Sequence, residues 1–79
     1  MTLEEEKYYD QYFELFASEG WKQFIAEIQE IIDGHRIEDI KDEAHLQHIK
    51  GARASLFKVL RFENGVRHTY EVITERERT

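Results

Sequence analysis

The sequence predicts an all-α fold, with two short amphipathic helices packed on one long C-terminal helix in a three-helix arrangement with a coiled-coil-like seam. Three observations predict it. Proline is absent from all 79 residues, so nothing forces a break in a helical hydrogen-bond ladder. Apolar residues recur at intervals of three and four, the period that lines one side of an α-helix. Residues that favour helix caps stand where those apolar runs begin.

The first helix is expected over about residues 3–17. Thr2 and Glu5 have capping-box spacing; the hydroxyl accepts from the amide three residues on and the carboxylate reaches back. Glu4, Glu5 and Glu6 sit at the positive end of the helix dipole. Tyr9, Tyr12, Phe13 and Phe16 then form one apolar stripe.

Ser18 is a candidate N-cap for a second helix over about residues 19–33. Trp21, Phe24, Ile25, Ile28, Ile31 and Ile32 give the cleanest amphipathic pattern in the chain. Gly34 follows and is expected to close the helix by taking the left-handed conformation. His35 to Lys41 reads as a connection, with Ile37 and Ile40 tucked into the core edge and Asp42 as the next N-cap.

The third helix is expected over about residues 42–75. Ile49, Ala52, Leu56, Val59, Glu63, Val66, Tyr70 and Ile73 alternate in gaps of three and four, a heptad seam in which only Glu63 is polar. Such a helix is roughly 50 Å long at about 1.5 Å per residue. A chain this small leaves part of that rod uncovered, so part of the seam is expected to meet another chain. Asn64-Gly65 is also a strong hairpin signal, but the three-four pattern passes through it in phase and favours a helix. The core is expected from Trp21, Phe24, Ile28, Leu56, Val59 and Leu60. The candidates for contact between chains are Tyr8, Tyr12, Phe16, Val66, Tyr70 and Ile73. Glu75, Arg76, Glu77 and Arg78 alternate in charge, which suits a helix end or a docking tail over Thr74 to Thr79.

Composition bounds the function. The chain has no cysteine, which removes disulfides and thiolate metal sites and leaves a partner chain as the expected source of extra stability. No apolar run reaches the roughly 18 residues that cross a bilayer. The acidic start, Glu4-Glu5-Glu6, is unlike a signal peptide, so no membrane association is expected and the expected location is cytoplasmic. The net charge of −6 argues against generic nucleic-acid binding. It hides an asymmetry: residues 1–43 carry 13 acidic and 4 basic side chains, residues 44–79 carry 4 and 7. The two halves attract, within one molecule or between copies; ordinary solvated helix faces have the same look.

The motifs for chemistry are few. His45 and His48 share a helix face near Asp42 and Glu43, but HExxH and paired ExxH motifs are missing and a metal needs three or four converging ligands. No nucleophile elbow, phosphate-cradling glycine loop or Cys–His pair is present. No catalytic residue, metal or cofactor is therefore expected. Lys50, Arg53, Lys58, Arg61 and Arg67 make a basic stripe without a recognisable nucleic-acid module around it.

Leu15 to Phe24, Ile40 to Leu46, and Lys50-Gly51 leading into Leu56 and Phe62-Glu63 together resemble small helical proteins encoded by tailed bacteriophages. The resemblance spans most of residues 13–71 and implies a helical fold and a phage setting, in host cytoplasm or virion. It carries no catalytic signature. The expected function is a non-enzymatic structural, assembly or protein-interaction role through homo-oligomeric helical contacts, or contacts with another phage or host protein. The alternative is a small acidic inhibitor that docks on a host protein through its negative N-terminal half.

Overall fold

The computed structural model describes residues 1–78, with the side chain of Ile37 outside the description. It is all-α among the described residues: α1 (Leu3–Ala17), α2 (Glu19–Asp33), a short 3-10 turn (Ile37–Asp39) and α3 (Glu43–Arg78). The two short helices pack on the long one, as the apolar periodicity predicts.

The caps explain the boundaries. Thr2 Oγ1 accepts from the Glu5 amide at 3.1 Å, and Glu5 Oε1 accepts from the Thr2 amide at 3.4 Å, completing the capping box. Ser18 serves two helices. Its backbone N–H donates to the Leu15 carbonyl at 3.0 Å and closes α1. Its hydroxyl oxygen accepts from the Trp21 amide at 3.2 Å and opens α2. One extended residue, with ψ near 149°, thus separates the two helices. Asp42 caps α3 by accepting from the His45 amide at 2.8 Å.

Gly34 departs from expectation. It ends α2 at φ −77° in the right-handed region. Closure comes instead from ordinary backbone bonds, Gly34 N–H to Glu30 O at 3.0 Å and His35 N–H to Ile32 O at 3.1 Å. Asn64-Gly65 lies inside an unbroken α3, so no hairpin forms there. Ile40 is half-buried in the connection; Ile37, placed beside it by the sequence, falls outside the described side chains, and Thr79 outside the described residues.

The arrangement along α3 is the main tertiary result. The amino group of Met1 pairs with Glu77, Tyr9 meets Tyr70 at 5.3 Å between ring centroids, and Phe16 meets Phe62 at 6.1 Å. Trp21 reaches Glu63, and Arg53 reaches the carbonyl of Ile32. As numbers rise through α1 and then α2, they fall along α3. Both short helices therefore run antiparallel to the long one and follow each other along it. This tandem covers the seam lengthwise: all eight heptad positions of α3 are half-buried within one chain. The expectation that a stretch of the rod stays bare gives way to a different outcome, in which the seam is covered from one direction only.

The core is correspondingly thin. The described residues buried in it are Tyr9, Phe16, Ile28 and Ile32. Phe24, expected in the core, is 44% exposed. It precedes Ile25 by one residue, and about 100° of helix rotation carries it off the line of Trp21, Ile25, Ile28 and Ile32. Trp21, Leu56, Val59 and Leu60 are half-buried, because α3 has neighbours on one side only.

Candidate interaction surface

One residue of offset organises the outside of the molecule. In a helix, the residue before a seam position lies about 100° round from it. Because α1 and α2 both oppose the direction of α3, these preceding residues project to the same side of all three helices. Ring contacts and lining residues anchor that geometry. Tyr12 packs on Phe62 at 5.3 Å, and Tyr8, Phe62, Gly65 and Thr69 share the walls of an open groove of about 320 Å³.

Seven large apolar side chains are exposed among the described residues. Five of them, Tyr8, Leu15, Phe24, Ile31 and Phe62, each immediately precede a buried or half-buried seam residue and so gather on this side. The three glycines inside helices do the same, since Gly20, Gly51 and Gly65 precede Trp21, Ala52 and Val66. A Cβ added at any of these three would meet nothing within 4 Å. The intrachain packing therefore gives no reason for glycine, although Gly within a helix costs about 1 kcal/mol relative to Ala.

The opposite side is partly covered by arginines, and Phe57 on it stays 37% exposed. There the Arg53 guanidinium lies over the Phe57 ring at 5.6 Å. Arg67 lies 5.5 Å from the rings of both Phe13 and Phe16. Arg67 Nε also donates to Glu63 at 3.0 Å, and Trp21 Nε1 donates to the same carboxylate at 2.9 Å. The one polar residue of the heptad seam is thus explained, because it ties the start of α2 to α3 and holds an arginine over the aromatic core. The Trp21 hydrogen bond, followed by Arg67, lowers the Glu63 carboxyl below its ordinary value against the opposing effect of desolvation. On the open side, desolvation and then Tyr12 raise the Tyr8 hydroxyl above the ordinary phenol value.

Charge divides by lane. On the open side the acidic residues flanking the apolar positions of α1 and α2 are Glu4 and Glu27, while α3 presents Lys58, all exposed. None of these three joins an ion pair among the described residues.

Of the contact candidates read from the sequence, Tyr8 and Tyr12 reach the open side, and Val66 lines its groove. Phe16 is 3% exposed, packed between Trp21 and Phe62. Tyr70 packs between Tyr9 and Phe13, and Ile73 is a half-buried seam residue. These three serve the intramolecular seam. Phe24, Ile31 and Phe62 join the open surface; the signal for them was their position one residue before a seam position. His45 Nδ1 accepts from the Lys41 amide at 3.1 Å, a local tie at the start of α3. No group of three or more His, Cys, Asp or Glu converges as a metal site among the described residues. No helix among them is long and apolar enough to cross a membrane. Compared with family models, curated proteins and solved structures, the chain matches none.

Proposed function

We propose that this is a non-enzymatic helical interaction protein that works by self-association, as a structural or assembly component. The observation that carries this reading is excess surface. The chain exposes 6388 Å², whereas a compact monomer of its 9.5 kDa exposes about 5,000 Å². The difference exceeds the roughly 800 Å² that each partner contributes to a standard interface. Its radius of gyration of 17.3 Å against about 12 Å for a compact chain of this length points the same way. The resemblance to tailed-phage proteins supports a place for such an assembly in a phage particle or its construction, in host cytoplasm or virion.

Light scattering on a sizing column, from about 1 μM to about 200 μM protein and at two salt concentrations, tests the reading across the span of standard affinities. A defined oligomer that survives dilution is expected. A monomer throughout that range overturns self-association.

A second reading, an acidic inhibitor of a host protein, draws support from Glu4, Asp10, Glu14 and Glu30, which are exposed and outside any ion pair among the described residues. It predicts partner binding that weakens steeply with salt and is lost in a Glu4→Lys, Asp10→Lys, Glu14→Lys variant that still folds. Binding that persists in that variant eliminates it.

A further inference from the structure

We propose that two copies of the chain pair face to face across the open side, lengthwise two-fold related, so that the α1–α2 lane of each lies on α3 of the other. This deepens the self-association reading and rests on it.

The occupant follows from area and charge together. The open side concentrates the exposed aromatic and aliphatic residues Tyr8, Leu15, Phe24, Ile31 and Phe62. A two-fold contact is self-complementary, so it buries this patch on both copies at once. The surface beyond that of a compact monomer is of the size one partner contributes to a stable dimer.

Charge then selects the orientation. Two flat faces meet about a two-fold axis that runs either along the helices or across them. An axis across the helices lays α1–α2 on its own copy and α3 on its own copy. The residues of α1 and α2 comprise nine acidic and two basic side chains, and those of α3 five acidic and seven basic. That arrangement opposes like with like. An axis along the helices lays each acidic lane on a basic one. Either axis makes every neighbouring pair of helices antiparallel, as in a four-helix bundle, so charge alone chooses between them.

The register supplies a named contact. Within the chain Trp21 stands level with Glu63, and Ile32 with Arg53. Glu27 therefore stands level with Lys58, one on each lane of the open side. A lengthwise axis preserves that height and brings Glu27 of one copy to Lys58 of the other. Gly51 and Gly65 stand two heptads apart on the same flank of α3 with empty space at Cβ, where the second copy's backbone gains close approach.

Sedimentation equilibrium of the full chain, with circular dichroism on every variant, tests this. Wild type is expected to be a dimer. Gly65→Arg, a helix-compatible residue placed into space that is empty in one chain, is expected to keep full helicity and raise the dissociation constant at least about tenfold. Asn64→Arg, turned toward the closed side, is expected to leave it unchanged. Glu27→Lys and Lys58→Glu are each expected to weaken the dimer, and the double exchange to restore it to within about twofold of wild type.

A monomeric wild type overturns self-association, and this proposal with it, and leaves the face to a chain of another sequence. A wild-type dimer indifferent to Gly65→Arg overturns the assigned face while self-association stands. Disruption by Gly65→Arg without rescue in the charge exchange overturns the lengthwise orientation.

Discussion

The two broad sides of this helical hairpin use similar residues to opposite ends. Both carry phenylalanines near the α3 seam. On one side Arg53 and Arg67 lie over Phe57, Phe13 and Phe16, and Glu63 fixes Arg67 in place. On the other, Phe24, Phe62 and Ile31 stay 40% or more exposed, beside glycines that touch nothing within 4 Å. The contrast teaches that an exposed apolar residue is informative only when the chain has declined to cover it. Long basic side chains can lay their stems and planar heads across a ring and satisfy it. Among the described residues no arginine lies over Phe24 or Phe62, although Phe57 beneath Arg53 is itself still 37% exposed.

The contrast breaks most severely if the closed side is hollowed. Phe16 is 3% exposed and touches Trp21 and Phe62. Phe16→Ala is expected to destabilise the fold by about 3–5 kcal/mol, a large share of the total for so small a chain. Urea unfolding followed by circular dichroism measures it. Phe24→Ala is the matched control on the open side and is expected to cost no more than about 1 kcal/mol of fold stability, chiefly through its ring contact with Trp21. Equal losses for the two would erase the distinction between the sides.

Much of this was legible in the sequence, and the exceptions share a cause. The capping box at Thr2, the N-cap of α2 at Ser18 and the heptad run from Ile49 to Ile73 reproduce the helices, because caps and periodicity are local properties of a chain. All eight seam positions are half-buried, as their spacing implies. What periodicity withheld was relative direction. A heptad stripe says which side of α3 is covered, without saying that two helices in tandem cover it. The same gap explains Phe24. On α2 alone it belongs to a broad apolar arc, and only the position of α3 separates Ile25 inside from Phe24 outside. Glu63 looked like an interruption of the seam until Trp21 was placed across from it.

The closed side is next weakened by taking away its cover. Arg67→Ala removes a hydrogen bond to Glu63 and contacts with two rings. The Arg67 side chain is about half exposed, so the expected loss is about 1–2 kcal/mol. Arg67→Lys keeps the charge without the planar head and is expected to recover less than half of it. Full recovery by lysine in the same urea experiment would reduce the role of Arg67 to charge alone.

The same latch predicts a pH dependence. Glu63 has its carboxyl lowered in the fold, chiefly by the Trp21 hydrogen bond. A group lowered by folding stabilises fully above its unfolded value, here near 4.5, and that contribution disappears as pH falls through the folded value. Wild type is therefore expected to lose more stability than Glu63→Gln between neutral pH and pH about 3, with a difference below about 1 kcal/mol because solvent still reaches this half-buried carboxylate. Parallel losses in thermal scans at the two pH values would detach the Trp21 contact from the ionised form.

The smallest effect sharpens the comparison most. Gly65→Ala places one methyl group where nothing lies within 4 Å, in the middle of a helix that runs unbroken past it. In an isolated chain this change is expected to stabilise by about 0.5–1 kcal/mol, since alanine has less backbone freedom to lose. At dilutions where any oligomer has dissociated, the urea midpoint should rise. At high concentration the gain should shrink or reverse if the glycine flank is covered by a second chain, because the methyl group then occupies space that a neighbouring backbone uses. A gain that is identical at both concentrations would mean that the glycine flank faces water throughout, and that the open side owes its character to Tyr8, Phe24 and Phe62 alone.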